Sequence, residues 1–431
     1  MASCRRSVSS GRSPVFQTLL FVVREFFSCY TIPMKNIFFA AALVGALSLL
    51  SCTTTSAGNS DSNTESVTPP FSVAGDLFNQ ASSNTLGLSE PAGLETVTIW
   101  KPSQLGDHFC NGVVMTYYNG LYYAQWQSSA EGEDEPDTHV VYSTSPDAIN
   151  WSEPVELCPA TSDTYRSSAG WHVNNNTLVA FINEWPYKKS PRGGSALYMT
   201  STDGTTWSEP APVMMKDGSR MNGVIEQDIH SISTGRLVCA AHFSPGLYVC
   251  PIYTDDPSGV AGWVKGSFKC ENTGSTSREM ESSLFVNSAG QIVMIFRDQN
   301  STFYKLASVS ADNGATWSRA VLTNFPDART KQSAGNFFDG TSFMVGNPVT
   351  NKLRSPLAVA LSKDGIQFNK AFLLKSGAKL TEPVYVGSAK RSGFHYPKSF
   401  VHDGYLYVTY SVNKEEAELI RVPVSQLTGA E

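Results

Sequence analysis

From Thr96 to the C terminus the chain is written in short runs, where β-branched, aromatic and aliphatic residues alternate with polar ones and Gly, Asn or Asp breaks them at regular distances. Six units share one design. They are Tyr118-Asn119-Gly120-Leu121 before YYAQWQ, Asn176-Thr177-Leu178 before VAFIN, Gly235-Arg236-Leu237 before VCAAH, Gly290-Gln291-Ile292 before VMIFR, Asp339-Gly340 before TSFMVGN, and Asp403-Gly404-Tyr405-Leu406 before YVTYS. Each joins a turn signal to a strand-forming run, which predicts a hairpin.

Between these hairpins a second phrase recurs: Ser145-x-Asp147-x-x-x-Trp151, Ser201-x-Asp203-Gly204-x-x-Trp207, Ser310-x-Asp312-x-Gly314-x-x-Trp317 and Ser362-x-Asp364-Gly365-x-x-Phe368. Its serines stand 56, 109 and 52 residues apart, so a worn copy is expected midway, at Thr254-Asp255-Asp256 with Gly262-Trp263. In such a turn the carboxylate accepts backbone N–H bonds while the aromatic packs onto the next unit. A period of 50 to 60 residues predicts an all-β array, a six-bladed β-propeller, or a seven-bladed one if a degenerate blade is present. Thr96 to Trp100 and Leu419 to Val424 are expected to share one blade and close the ring.

Composition narrows the class. The chain is 16% charged and 11% aromatic, with no convincing long amphipathic helix, as in an all-β globular domain. A net charge of −6 without any basic block disfavours nucleic acid as a partner. No Gly-rich cofactor loop is present, so no cofactor is expected, nor an oligomer.

Met34-Lys35-Asn36, the apolar run Ile37 to Leu50 and Leu49-Leu50-Ser51-Cys52 read as a bacterial lipoprotein signal over 34–52, with Cys52 the lipidated residue. Residues 1–33 make little sense ahead of it and are set aside. Residues 53–80 read as a flexible polar tether and 90–431 as the propeller. The expected location is the cell envelope, at the outer membrane or its periplasmic face, anchored by lipid and not spanning. Cys239 and Cys250 flank the turn Ser244-Pro245-Gly246, which suggests a cross-strand disulfide. A zinc site with His242 and Cys270 fits poorly, because residues 239 and 242 point to opposite sheet faces. No metal is expected.

The repeated Asp turn on a β array resembles the sialidase superfamily over most of Trp100 to Pro423. That resemblance implies three arginines on a substrate carboxylate, a Tyr nucleophile assisted by a Glu, and an Asp as acid. Glu281 in REMESS precedes Arg297 in MIFRDQ by 16 residues, Arg354 stands ahead of an Asp turn, and Tyr396 precedes the last hairpin, all in the family's order. Guanidinium forks suit a carboxylate, and a Glu beside a Tyr hydroxyl can take its proton.

The N-terminal half departs from that pattern. Trp100-Lys101-Pro102 stands where the first arginine is expected, making Lys101 the candidate cation, and Gln125-Trp126-Gln127-Ser128 stands where the acid is expected. The first-blade phrase from Asp107-His108 to Gly112 is similar to rhamnosyl-glucuronate hydrolases and ulvan-type lyases, and carries His108 over as a catalytic candidate. Arg192, with Tyr187 in PYKKSPRGG and His172 or His230, is the cation a lyase would need. The acidic run at 131–138 reads as a solvated turn, and His139, His242, His395 and His402 as structural. The expected activity is removal of a terminal sugar from an acidic glycan, sialic or uronic. A uronate-polymer lyase and a non-catalytic glycan binder are the alternatives.

Overall fold

The computed structural model describes residues 68–429, so the expected signal at 34–52, Cys52 and the stretch 1–33 lie outside the described residues. The described residues fall within one compact unit. Six antiparallel sheets follow one another along the chain as blades, within 109–158, 164–212, 223–265, 279–326 and 333–375, and last Phe394–His402, Tyr405–Val412 and Glu416–Pro423. The ring closes as expected. Glu95–Trp100 pairs with Glu416–Pro423 as the outermost strand of the sixth blade, Val97 opposite Leu419.

Blades stack face to face, so their inner strands are buried on both sides and the polar alternation of an open sheet is muted. Phe109–Tyr118 carries no exposed residue. The apolar core is therefore divided into layers between blades. Val114, Tyr123, Trp171 and Ile182 fill one such layer, and Phe343, Val359, Phe394 and Tyr410 another.

The Asp turns behave as their chemistry requires. Asp203 accepts the backbone N–H groups of Thr205 (2.8 Å) and Thr206 (2.7 Å), and Asp364 those of Ile366 (2.8 Å) and Gln367 (3.0 Å). Backbone donors hold the Asp147 and Asp203 carboxyls far below the ordinary range. The worn copy is intact in function: Asp256 accepts from Ser258 N–H (2.9 Å), and buried Trp263 donates to the Gly259 carbonyl (2.7 Å).

Two expectations need correction. The polar tether ends earlier than residue 80, because Phe71 is buried against Phe285, Phe325 and Phe368, and Ser72–Val73 pairs in parallel with Gln367–Phe368. Residues 71–88 thus belong to the folded domain, through the apolar side chains of Phe71, Val73, Phe78 and Leu86. Cys239 and Cys250 are free thiols. The hairpin pairs Phe243 with Tyr248, which sets Cys239 opposite Ile252 and Cys250 opposite Ala241. Among the described residues no cluster of metal-ligating side chains occurs.

Blade connectivity sorts the loops onto two faces. Turns between first and second strands and the Asp turns lie on one; loops between second and third strands, and those leading into each new blade, lie on the other.

Candidate active site

The second face is where the inner strands depart from regularity. Bulges interrupt pairing between Asn111 and Val114, Ser168 and Gly170, Met280 and Ser283, and His395 and Lys398. The first two use glycines. At Gly112 (φ 65°) a Cβ would meet the Gln227 amide at 2.5 Å. The last two place Glu281 (φ 50°) and Tyr396 (φ 51°) in the left-handed region, which costs a non-glycine residue roughly 1 kcal/mol or more. Such bulges re-aim a side chain out of the strand's alternation, here toward the ring axis.

Around that axis lie two lobes of about 460 Å³ each, which share Glu133, Arg297 and Tyr396. The inner lobe contains Glu281, and the outer lobe Arg354. The four residues expected in family order therefore meet in one cavity. Arg297 binds Glu281 (2.6 Å) and Gln299 (2.6 Å), while Arg354 lies over the Tyr396 ring at 4.9 Å. Lys331 and Lys414 also face that ring, at 5.3 and 5.7 Å. A larger cavity of about 670 Å³ lies elsewhere, beside Met215, Arg220 and Lys265, and its one carboxylate, Asp217, is already capped by Ser219.

The electrostatics separate the phenol from its neighbour. Burial and the charge of Glu281 push Tyr396 up to about 12, so it rests as a protonated hydroxyl. Burial alone would raise Glu281, but Arg297 and Lys331 hold it below the ordinary carboxylate range. Glu281 thus waits as a base beside a phenol that needs one.

His395 orients the second arginine. Its Nδ1 meets Arg354 Nη1 at 2.8 Å and its Nε2 meets the Arg391 carbonyl at 2.9 Å, while burial and Arg354 keep the ring neutral. With Nε2 protonated, Nδ1 accepts from the guanidinium. In the inner lobe, His242 pairs with Glu226 (2.9 Å), which also binds Lys331 (2.9 Å). His242 Nε2 is buried without a partner, which leaves it open to a hydrogen bond with a ligand hydroxyl in that lobe.

The acidic run at 131–138 is a solvated turn only in part: Glu131 and Asp137 are exposed, but two of its carboxylates face the lobes. Glu133 lines both lobes, held by Lys414 (2.6 Å) and Asn111 (3.1 Å), and Asp134 lines the inner lobe, paired with Arg192 (2.7 Å). Burial raises the Asp134 carboxyl against the opposing pull of Arg192. Gln125 is buried, donates to the Gly170 carbonyl (2.7 Å) and lines neither lobe.

Other expected residues fall outside. Lys101 pairs with Glu416 (3.0 Å) and lines neither lobe, because it directly follows Glu95–Trp100, the sixth blade's outermost strand. His108 lines neither lobe; its ring stacks on Tyr385 at 3.9 Å, and Nε2 meets the Ser103 carbonyl. Arg192 does line the inner lobe, lying over Trp185 at 4.4 Å, but His172 is bound to the Pro257 carbonyl near an Asp turn and His230 to Asp228.

Comparison with known proteins agrees with this architecture. A BNR repeat-like domain model matches residues 120–408. A sialidase superposes with TM-score 0.61 at 18% identity, over 82% of this chain but 35% of its own length. A protein of unknown function from Dyadobacter fermentans matches at 0.58 and 14% identity, over 77% of this chain and all of its own. Trypanosoma rangeli sialidase in complex with sialic acid matches at 0.54 and 14% identity, over 78% of this chain and 60% of its own. No curated protein matches. The fold is a six-bladed propeller of the sialidase-like type. The chain belongs to the BNR repeat-like family.

Proposed function

We propose that this protein is a glycoside hydrolase that releases a terminal acidic sugar from a glycan. The reading is carried by the convergence of Glu281, Arg297, Arg354 and Tyr396 on one cationic cavity. Arg297 and Arg354 bind the sugar carboxylate. Tyr396 attacks the anomeric carbon as Glu281 takes its proton, and Asp134, whose carboxyl is raised by burial against the pull of Arg192, protonates the leaving oxygen. Water then cleaves the glycosyl–tyrosine bond, with the acid returning as base. Lys331 and Lys414, which face the Tyr396 ring, take the place of a third arginine.

The test is incubation of the 65–431 unit with sialosides and with glycans capped by glucuronate, reading released monosaccharide and the absorbance of unsaturated uronate. Released sugar that disappears in Tyr396→Phe supports the hydrolase. Unsaturated product would make it a lyase, and glycan binding without turnover a binding protein. Lipid anchoring through Cys52 at the cell envelope is part of the proposal, and labelled palmitate incorporated by the wild type but not by Cys52→Ala tests it.

A further inference from the structure

The outer lobe holds more positive charge than its carboxylates neutralise. Of the seven cations lining it, Arg297 is engaged by Glu281, Lys414 by Glu133 (2.6 Å) and Lys390 by Glu415 (3.4 Å). Arg329, Lys352, Arg354 and Arg391 meet no carboxylate among the described residues, and Arg354 contacts only the neutral His395 and the Tyr396 ring. Elsewhere among the described residues Arg192, Arg236 and Arg421 each bind one carboxylate and Arg278 binds two, while Arg220 and Arg319 bind none. Burial and the nearby charges of Arg297 and Arg354 push both Arg329 and Arg391 below the usual guanidinium range. Like charges held together without a counterion are costly, and a bound anion relieves the cost.

One sugar carboxylate, shared by Arg297 and Arg354, leaves two guanidinium groups and a lysine uncompensated. Guanidinium forks match the oxygens of a sulfate or carboxylate bidentately. We propose that the outer lobe is a second anion subsite, so that the glycan carries two anionic groups: the carboxylate beside Tyr396, and a sulfate ester or second carboxylate held by Arg329, Arg391 and Lys352. This rests on the glycosidase reading for the pose of the sugar, though not for the surplus of charge.

Equilibrium binding to Tyr396→Phe separates the subsite from turnover. The probes are a glucuronosyl disaccharide with one carboxylate, its monosulfated form and a diuronic disaccharide, each titrated at low and at high salt. A doubly charged probe should bind roughly tenfold or more tightly than the singly charged one, about 1.4 kcal/mol. The preference should weaken with salt and collapse toward unity when Arg329→Gln and Arg391→Gln are added. Whichever doubly charged probe shows it names the second group. Equal binding of all three, binding of none, or a preference that survives the double substitution would overturn the subsite. If the preference holds while the wild type releases no sugar from any acidic glycan, the glycosidase reading fails and the subsite stands.

Discussion

The two faces of the propeller use the same residue types to opposite ends. On the Asp-turn face each carboxylate is closed by its own backbone: Asp364 takes the N–H groups of residues two and three further on, and Asp203 does the same. On the pocket face, several carboxylates and cations are held by side chains from other blades. Glu133 reaches Lys414 across 281 residues of chain, and Lys331 reaches Gln227 across 104. Locally satisfied polar groups stabilise a turn and have nothing left to offer. Groups satisfied at long range, or incompletely, keep capacity for a ligand.

The sharpest test of that contrast removes one oxygen. Tyr396→Phe should reduce kcat by on the order of 10³-fold or more with the melting temperature scarcely moved, because the hydroxyl makes no hydrogen bond to the described residues. Glu281→Gln should follow it. A Tyr396→Phe protein retaining wild-type kcat on its best substrate would end the nucleophile assignment.

On the other face, Trp263→Ala should do the reverse. The side chain is fully buried and its indole N–H is bonded within its own turn. Its removal should cost about 3–5 kcal/mol of stability, read by urea denaturation, while kcat measured well below the melting temperature stays near wild type. A large kcat loss in a folded Trp263→Ala protein would mean that the faces are coupled.

This division also explains what the chain reveals unaided. The hairpins, Asp turns and ring closure are local or periodic, so the run of Gly, Asn and Asp announced them. Glu281, Arg297, Arg354 and Tyr396 were legible through their order. Phe71 was missed because a short apolar run follows a long polar one, and its pocket between the fourth and fifth blades exists only once both have formed. Glu133 and Asp134 were missed because charge in a loop reads as solvated. Strand parity was the available signal: Glu281 and Tyr396 begin the innermost strands of their blades, and a loop joining second and third strands lies at that same end. Lys101 and His108 were carried over from family resemblances in the weakly matching N-terminal half, and neither lines the axial cavity.

The acid loop gives a smaller effect with a pH signature. Asp134→Asn should lower kcat about 10²-fold on glycans with a poor leaving group, and much less on an activated aryl glycoside, which departs unprotonated. Because burial raises Asp134, the wild type should lose activity on the alkaline side as this proton leaves; because Glu281 lies below the ordinary range, the acid limb should extend lower than an ordinary carboxylate base allows. Glu133→Gln removes the partner of Lys414 and should raise KM more than it lowers kcat. If Glu133→Gln, not Asp134→Asn, spares only the activated glycoside, the two roles are exchanged.

Asp228, on the loop leading out of the third blade's first strand, shows what a carboxylate does when cations flank it. Asp228 binds Lys398 (3.2 Å) and His230 (2.9 Å), and although burial opposes it, these cations hold its carboxyl down to about 2. A depressed carboxyl stabilises the fold above its ordinary value, and that contribution is lost as pH falls through the folded value. Asp327 acts oppositely, since burial raises it despite Lys305, so its protonation offsets part of the loss. Denaturation of wild type and Asp228→Asn at a series of pH values isolates the first carboxyl. The stability gap between them should be full near pH 5 and shrink by about 2 kcal/mol as pH approaches 2. A gap that stays constant over that range would mean that Lys398 and His230 do not select the ionised form, and that Asp228 is no better compensated than the cations of the outer lobe.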